Sequence, residues 1–229
     1  MRKVKDYYFK KAKKEKYPAR SIYKLEEVQQ KYHFLHPGDS ILDLGCHPGS
    51  WSLYASEIVG KKGIVVGVDL QETTGAARPE GAEIHWLCQD IMEPELITKV
   101  RKFRPAFKVL ISDLAPKTTG SRWADHQQSL QLVRRTLALA EILLFDHGHY
   151  ICKIFQGEDF PDFVQEVKDR FETVKVVKPK SSRTESREVF VLGMGYRKPK
   201  DTSKSIQQRQ LSNSDAGMAP ESIEEKPKL

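Results

Sequence analysis

Short apolar runs of strand length alternate along this chain with segments that carry apolar residues at helical spacing. The strand-like runs are residues 40–45, 63–70, 82–90, 107–116 and 149–155. Strands that are apolar almost throughout and are separated by helices are typical of a parallel sheet covered on both faces. We therefore predict a doubly wound α/β fold with a mostly parallel sheet.

The end of this pattern differs from the rest. Two β-rich runs, 172–179 and 188–196, follow each other with no helical segment between them. A parallel connection would need a crossover of a dozen or more residues, so we expect these runs to pair as an antiparallel hairpin at one edge of the sheet.

The excess positive charge is concentrated at the N-terminus. Residues 1–24 hold ten Lys and Arg against two acids, whereas residues 25–197 hold 22 against 24. Such a segment can be a solvated, frayed arm. The aromatic residues Tyr7, Tyr8 and Phe9 interleaved with its lysines favour a nucleic-acid contact surface, because aromatic rings stack on bases.

These features suggest three parts of the chain. Residues 1–17 form a basic arm expected to bind RNA, and residues 18–197 form the folded domain. Residues 198–229 contain no Phe, Tyr or Trp and are rich in Ser, Gln, Lys and Glu, which indicates a disordered tail.

The compartment follows from what the sequence lacks. Three cysteines cannot form a disulfide framework, and the basic N-terminus has no apolar segment typical of a secretory signal. The most apolar window, 137–145, is too short to span a membrane. We expect a cytoplasmic monomer with no membrane partner.

The loop after the first predicted strand is the first candidate binding element. Gly45 and Gly49 would let the backbone approach a ligand, and the helix that follows offers its N-terminus. Asp69 ends the second strand, where a carboxylate can bind ribose hydroxyls, and Asp90 ends the third, where a carboxylate could accept from an adenine amino group. Three such strand ends predict an adenosine pocket.

Other interpretations of these residues remain open. Each acid could be a helix cap, and the glycine pair could be a tight structural turn. The glycines do not match G-x-G-x-x-G, which favours S-adenosylmethionine over a dinucleotide. We expect no metal, because His47 has no partner ligands at suitable spacing, and we interpret it as a packed loop histidine.

Several ordered motifs carry a family resemblance. They are Arg20-Ser-Ile-Tyr-Lys-Leu-Glu-Glu, the loop 43–51, Ser112-Asp-Leu-Ala-Pro, Lys153-Ile-Phe-Gln-Gly and Ser181-Ser-Arg-Thr-Glu-Ser-Arg-Glu. Over about residues 5–197 the chain resembles the FtsJ (RrmJ-type) family of S-adenosylmethionine-dependent RNA ribose 2′-O-methyltransferases. The resemblance implies a Rossmann-like methyltransferase sheet.

The resemblance also implies residue roles. The family's catalytic tetrad maps onto Lys24, Asp113, Lys153 and Glu188. Its cofactor-binding positions map onto Gly49, Trp51, Asp69, Asp90 and Asp113. Bacterial members of the family methylate a uridine of large-subunit ribosomal RNA, so the implied substrate is that RNA or the large ribosomal subunit, and the implied product is S-adenosylhomocysteine.

The chemistry needs residues of these types. A sugar hydroxyl is a poor nucleophile, so the enzyme must align it with the sulfonium methyl and remove or shield a proton. Lys153, a charged residue inside an apolar strand, is our candidate for activating the hydroxyl. Lys24 would disfavour its charged form, whereas Asp113 and Glu188 would favour it. Lys153 as neutral base and Lys153 as cation both stay open, and four ordinary surface ion pairs are the alternative.

The chain departs from the family at a few positions. Cys46 and His47 replace small residues of the loop, Ser50 replaces a glycine, and the polar turn 71–81 is longer than expected for the bacterial enzymes. These changes leave the tetrad intact.

The RNA surface and three rival functions complete the sequence-based predictions. We expect the arm and the basic residues near Glu188 to contact RNA, namely Lys175, Lys178, Lys180, Arg183 and Arg187. One rival is a non-catalytic RNA- or ribosome-binding protein on the same fold, and another is a nicotinamide-dependent oxidoreductase, which the missing glycines disfavour. The third keeps the reaction but takes transfer RNA or an mRNA cap as substrate.

Overall fold

A computed structural model of the chain describes residues 2–75, 77–183 and 186–199, with only the backbone of residues 2–6. Its helices are α1 (Arg2–Lys14), α2 (Ile22–Tyr32), α3 (Ser50–Val59), α4 (Glu95–Arg101), α5 (Arg122–Leu143) and α6 (Phe160–Lys168). Its strands are β1 (Ser40–Leu44), β2 (Ile64–Asp69), β3 (Glu83–Cys88), β4 (Phe107–Ser112), β5 (Leu144–Phe155), β6 (Phe171–Val177) and β7 (Glu188–Tyr196).

The strands of the described chain form one sheet in the order β3-β2-β1-β4-β5-β7-β6. Strands β1 to β5 pair in parallel, and β7 pairs antiparallel with both β5 and β6. The predicted doubly wound sheet and its antiparallel hairpin are confirmed. The strand order reverses between β1 and β4, and such a reversal leaves a crevice at the carboxyl ends of the strands.

Helices cover both faces of the sheet. One apolar cluster buries α2 and α3 against one face, with Leu25, Ala55 and Phe190 fully buried. The second buries α4, α5 and α6 against the other face, with Leu139 and Phe163 fully buried. Because each such aliphatic or aromatic side chain contributes about 1.5–3 kcal/mol when removed from water, the two clusters hold the helices on the sheet.

The basic N-terminal segment is a helix that packs on the domain. Ala12 of α1 is buried in the cluster that contains α2, and Lys11 lies 3.5 Å from Glu26. The Tyr17 hydroxyl donates to Glu57 at 2.7 Å, and Arg78 donates to the Glu15 carbonyl at 2.6 Å. The alternative of a frayed arm is therefore wrong for residues 7–17, whereas an RNA contact stays a prediction.

Two helix boundaries have local explanations. Ser21 directly precedes α2, but its side chain makes no capping hydrogen bond. Helix α5 ends at Leu143, because the backbone at Leu144 pairs with Phe107 and so begins β5. Tertiary strand pairing overrides helical spacing at this junction.

The predicted disordered tail lies almost wholly outside the described residues.

No helix among those that the structure describes is long and apolar enough to cross a membrane. Cys46 and Cys152 are buried and Cys88 is exposed, and all three thiols are free.

Candidate active site

The carboxyl ends of the parallel strands bring the predicted site residues to one edge of the sheet. The loop 45–49 follows β1, Asp69 ends β2, Asp90 follows β3, and Asp113 follows β4 directly. Lys153 lies near the end of β5. The structure thus brings these residues to the edge of the sheet beside the point between β1 and β4 where the strand order reverses.

Lys153 and Asp113 form the first charged pair. The Lys153 ammonium donates to the backbone carbonyl of Asp113 at 2.6 Å and lies 2.9 Å from its carboxylate Oδ1. That carboxylate contact is an ion pair without hydrogen-bond alignment, since Oδ1 has no hydrogen-bond partner in the described structure. The side chain of Lys153 is only 8% exposed, so its charge is held by Asp113 rather than by water.

Lys24 and Glu188 form the second pair. Their Nζ and Oε1 atoms are 2.7 Å apart, and both side chains are largely buried. Burial raises the pKa of Glu188, but the adjacent Lys24 ammonium, assisted by the Lys153 charge, outweighs it and leaves the pKa below its ordinary value. The carboxylate is therefore kept ionised.

Strand register places the two pairs on the same face of the sheet. In the antiparallel ladder, Lys153 lies opposite Phe190 and Phe155 lies opposite Glu188. Directly opposed residues share a face, and so do residues two apart along a strand. Lys153 and Glu188 therefore face the same side, which is the side that α2 covers with Lys24. The structure brings the four tetrad residues together, while their catalytic roles stay a prediction.

The backbone conformation and packing of the protein itself require glycine at two positions of the loop after β1. Gly45 and Gly49 both have positive φ, +82° and +103°, a region that favours glycine. A Cβ at Gly45 would lie 2.5 Å from Leu114, and one at Gly49 would lie 3.0 Å from the Trp86 ring. Both glycines are thus required by the protein's own turn and packing, and their contact with a cofactor stays a prediction.

The two strand-end acids shape their own loops. Asp69 accepts hydrogen bonds from the backbone N–H groups of His47 and Gln71, at 3.0 Å and 2.9 Å. Asp90 accepts from the backbone N–H of Met92 at 2.8 Å through one oxygen. Neither carboxylate caps a helix in the described structure, although each holds the backbone that follows its strand.

The side chain of Trp51, which the family resemblance assigns to cofactor binding, lies in the protein interior. Its indole is buried, donates to the Ser21 carbonyl at 2.9 Å and packs on Phe190 at a centroid distance of 5.6 Å. The side chain thus joins α3 to the start of α2, the helix that carries Lys24. Only its backbone N–H, in the first turn of α3, is left for a ligand.

Three residues beside the loops were not singled out from the sequence. Trp86 lies over Gly67, where a Cβ would be 2.8 Å from its ring, and donates to the Gly75 carbonyl at 2.9 Å. Leu70 and Met92 are 68% and 43% exposed, each within two residues of a strand-end acid. Large apolar side chains left exposed beside polar ones are a signal of a ligand site.

Asp43, near the end of β1, belongs to the loop motif 43–51 but was given no role from the sequence. It is fully buried, accepts from the Ser52 hydroxyl at 2.6 Å, and leaves Oδ1 without a hydrogen-bond partner among the described residues. Burial, with the nearby charges of Asp113 and Asp69, raises the pKa of Asp43 to about 7.

The departures from the family pattern have local roles. Ser50 is buried and accepts the Ala19 backbone N–H at 2.7 Å, which ties the segment before α2 to α3. His47 is exposed rather than packed, and its Nδ1 lies 3.2 Å from the Thr73 hydroxyl. In the part of the chain that the structure describes, no group of His, Cys, Asp and Glu could hold a metal.

The predicted RNA-contact residues differ in their contacts and in how near they lie to the tetrad. Arg187, next to Glu188, donates to the Arg122 and Gln156 carbonyls at 3.4–3.5 Å. Lys178 donates to the Ser186 carbonyl, whereas Lys180 and Arg183 are exposed. Lys175 pairs opposite Leu192, well along β6 from the tetrad. Trp123, which the sequence analysis did not single out, is 70% exposed beside Arg122.

Fold and site together define a class. A doubly wound sheet with a glycine loop and acids at successive strand ends, and with two lysine–acid pairs beside them, is that of a Rossmann-like methyltransferase. The chain belongs to the FtsJ-like methyltransferase family, whose family model matches residues 17–196.

Individual relatives are similar over nearly their whole length. The chain is 66% identical over 199 residues to ribosomal RNA large subunit methyltransferase E of Desulfotalea psychrophila, covering 87% of this chain and 99% of the relative. It is 47% identical to the protein of that name from Syntrophobacter fumaroxidans, covering 85% and 98%. A crystal structure from Plasmodium falciparum, provisionally named a ribosomal RNA methyltransferase, aligns with a TM-score of 0.70 at 25% identity, covering 80% of this chain and 100% of that one.

Proposed function

We propose that this protein transfers a methyl group from S-adenosylmethionine to the ribose 2′-hydroxyl of a uridine in large-subunit ribosomal RNA. The observation that carries the proposal is the convergence of the Lys153–Asp113 and Lys24–Glu188 pairs on one face of the sheet, at the strand ends. The names of the similar bacterial proteins support the RNA as substrate.

The residues at the strand ends fit the proposed cofactor. The buried Asp43 Oδ1 lacks a hydrogen-bond partner among the described residues, which suits a cofactor that carries an ammonium and a sulfonium charge. Asp69 and Asp90 would hold the ribose and the adenine, with Leu70 and Met92 against the apolar rings. When bound, S-adenosylmethionine supplies an activated methyl group.

The tetrad would act on the ribose hydroxyl. Lys153 Nζ already contacts two oxygens of Asp113, and an ammonium so surrounded by acceptors suits a donor better than a base. We assign Lys153 to hold the 2′-oxygen and stabilise its developing negative charge. Asp113 and Glu188 would fix the two ammonium groups, and one of their carboxylates would accept the hydroxyl proton.

The RNA would approach over the surface around Glu188. Lys180, Arg183 and Arg187 supply positive charge there, and the exposed Trp123, next to Arg122 whose carbonyl Arg187 contacts, offers a stacking face. We keep the monomer as a prediction.

Methyl transfer to defined RNAs tests the proposal. With labelled S-adenosylmethionine, the protein should label unmethylated large ribosomal subunits or free ribosomal RNA, and leave transfer RNA unlabelled. Lys153→Ala should lower kcat by about 10³-fold, because one charged stabilising group in a buried site has an effect of about this size. Lys108→Ala, on the same sheet but bonded to the His147 carbonyl, is the matched control.

Each adverse result removes a different part of the proposal. Undiminished transfer by Lys153→Ala would refute the assigned mechanism, and label in transfer RNA alone would refute the substrate. A wild-type protein that labels none of these RNAs would return the chain to the non-catalytic alternative.

A further inference from the structure

A groove separate from the strand-end site opens between α1, α2 and the segment 178–183. Its volume is about 470 Å³, within the range of ligand pockets. Three tyrosines, three lysines and three polar or acidic residues line it, and none of them belongs to the tetrad or to the predicted cofactor residues. We refer to it as the tyrosine groove, after Tyr7, Tyr8 and Tyr23.

The tyrosines form an aromatic wall with one free face. Tyr7 packs edge-on against Tyr8 at a centroid distance of 5.3 Å, and Tyr8 packs on Tyr23 at 5.2 Å. Tyr23 is buried, whereas Tyr7 is 61% exposed. The outer ring is therefore held by its neighbours with most of its surface in solvent, which is the arrangement of a stacking platform.

The charges of the groove favour an anionic ligand. Its two acids are already engaged: Glu27 accepts the backbone N–H groups of Lys180 and Ser181 at 2.6 Å and 2.9 Å, and Glu26 is paired with Lys11. The side chain of Lys180 is exposed and makes no ion pair among the described residues. The acids thus hold the walls together, and lysine charge remains at the rim.

The tyrosine groove and the tetrad share two structural elements. On α2, Glu27 lies one turn beyond Lys24, about 4.5 Å along the helix axis. The segment that Glu27 binds at Lys180 and Ser181 leads on to Glu188. A strand of RNA whose ribose lies at the tetrad would therefore have its neighbouring nucleotides within reach of the groove.

We propose that the tyrosine groove binds one unpaired nucleotide of the RNA substrate, beside the nucleotide that is methylated. The base stacks on the Tyr7 ring, and Gln30 offers both a donor and an acceptor to its edge. Lys31 and Lys180 lie at the rim, where the phosphates pass. The inference rests on the proposed function and adds to it a contact that selects single-stranded RNA outside the catalytic centre.

Steady-state kinetics on unmethylated large ribosomal subunits tests the contact. Tyr7→Ala should raise the KM for subunits about 10-fold and leave kcat and the Kd for S-adenosylmethionine within about twofold, because stacking of one base is worth about 1–3 kcal/mol. Tyr7→Phe keeps the ring and should retain wild-type KM. Phe145→Ala is the matched control, since Phe145 is 46% exposed on β5 and lines neither the groove nor the tetrad.

A second readout is independent of catalysis. Ribosomal RNA that contains 4-thiouridine, irradiated with the wild-type protein and S-adenosylhomocysteine, should crosslink to the peptide that contains Tyr7 and Tyr8. Equal KM values for Tyr7→Ala and Phe145→Ala, or crosslinks that fall only on peptides outside the groove, would overturn the inference. A protein that crosslinks at Tyr7 but transfers no methyl group would support the groove and refute the proposed function.

Discussion

The two halves of the strand-end site are held by different forces. The half proposed to bind the cofactor, which comprises the loops after β1, β2 and β3 and is called the cofactor half below, is shaped by backbone groups: Asp69 accepts two N–H groups and Asp90 one. The tetrad half is held by side-chain charges, with ion-pair distances of 2.7 Å and 2.9 Å. Backbone geometry defines the first half, and electrostatics defines the second.

The difference indicates what each half contributes. A loop fixed by backbone hydrogen bonds presents a preformed surface, and changes in it alter affinity. Buried ion pairs aimed at a reacting group stabilise the transition state more than the ground state, and changes in them alter the rate. Tetrad variants should therefore lower kcat, and cofactor-half variants should raise the Kd for S-adenosylmethionine.

After the Lys153→Ala effect proposed above, the largest loss of kcat is expected at the Lys24–Glu188 pair, and this loss separates the two halves. We expect Lys24→Gln and Glu188→Gln each to lower kcat about 10²-fold, with the Kd for S-adenosylmethionine within about threefold of wild type. The double variant should be no slower than the slower single variant, because each single change leaves one buried charge unpaired.

Single-turnover rates and cofactor titration measure this prediction. Lys61→Gln is the control, since it breaks an ion pair of 2.9 Å with Glu80 that is exposed and far along the chain from the tetrad. Additive losses in the double variant would show that the two residues act separately.

A smaller effect is expected in the cofactor half. Asp69→Asn should raise the Kd for S-adenosylmethionine about 10-fold and leave kcat at saturation within about threefold, because the amide can accept only one of the two backbone N–H groups well. Isothermal titration gives the Kd. Asp39→Asn, which alters a carboxylate that accepts the His36 N–H before β1, is the control. A fall in kcat without a change in Kd would break the comparison.

Much of this architecture could be predicted from the sequence because its patterns are local. Apolar strands such as 40–45 alternate with helices, so the sheet and its edge hairpin were predicted correctly. The tetrad was assigned from family motifs, and the structure brings its four residues together. Strand ends converge in any doubly wound sheet, so Asp69 and Asp90 could be placed without contact information.

Other features depend on contacts between distant segments. Nothing local shows that the Trp51 indole binds the Ser21 carbonyl, or that Trp86 covers Gly67. The segment 15–17 that follows α1 is held by Arg78 and Glu57, far along the chain, so charge alone suggested a frayed arm. The exposure of Trp123 is likewise a property of the folded surface.

The last prediction concerns stability rather than rate or affinity. Burial, with added repulsion from Asp113 in the tetrad half and Asp69 in the cofactor half, raises the pKa of Asp43 to about 7. The folded chain keeps this proton while the unfolded chain loses it above about pH 4, so stability falls as pH rises from about 4 to 7. The contribution is at most about 1.4 kcal/mol per pH unit, and Asp43→Asn should abolish it.

Urea unfolding at pH 5 and 6 measures the change. Ser52→Ala removes a hydrogen bond that lowers this pKa, so the pKa of Asp43 should be higher in that variant. The fall in stability of Ser52→Ala with rising pH should therefore extend to higher pH than in the wild type. Parallel pH profiles for wild type and Asp43→Asn would show that the buried carboxyl ionises normally.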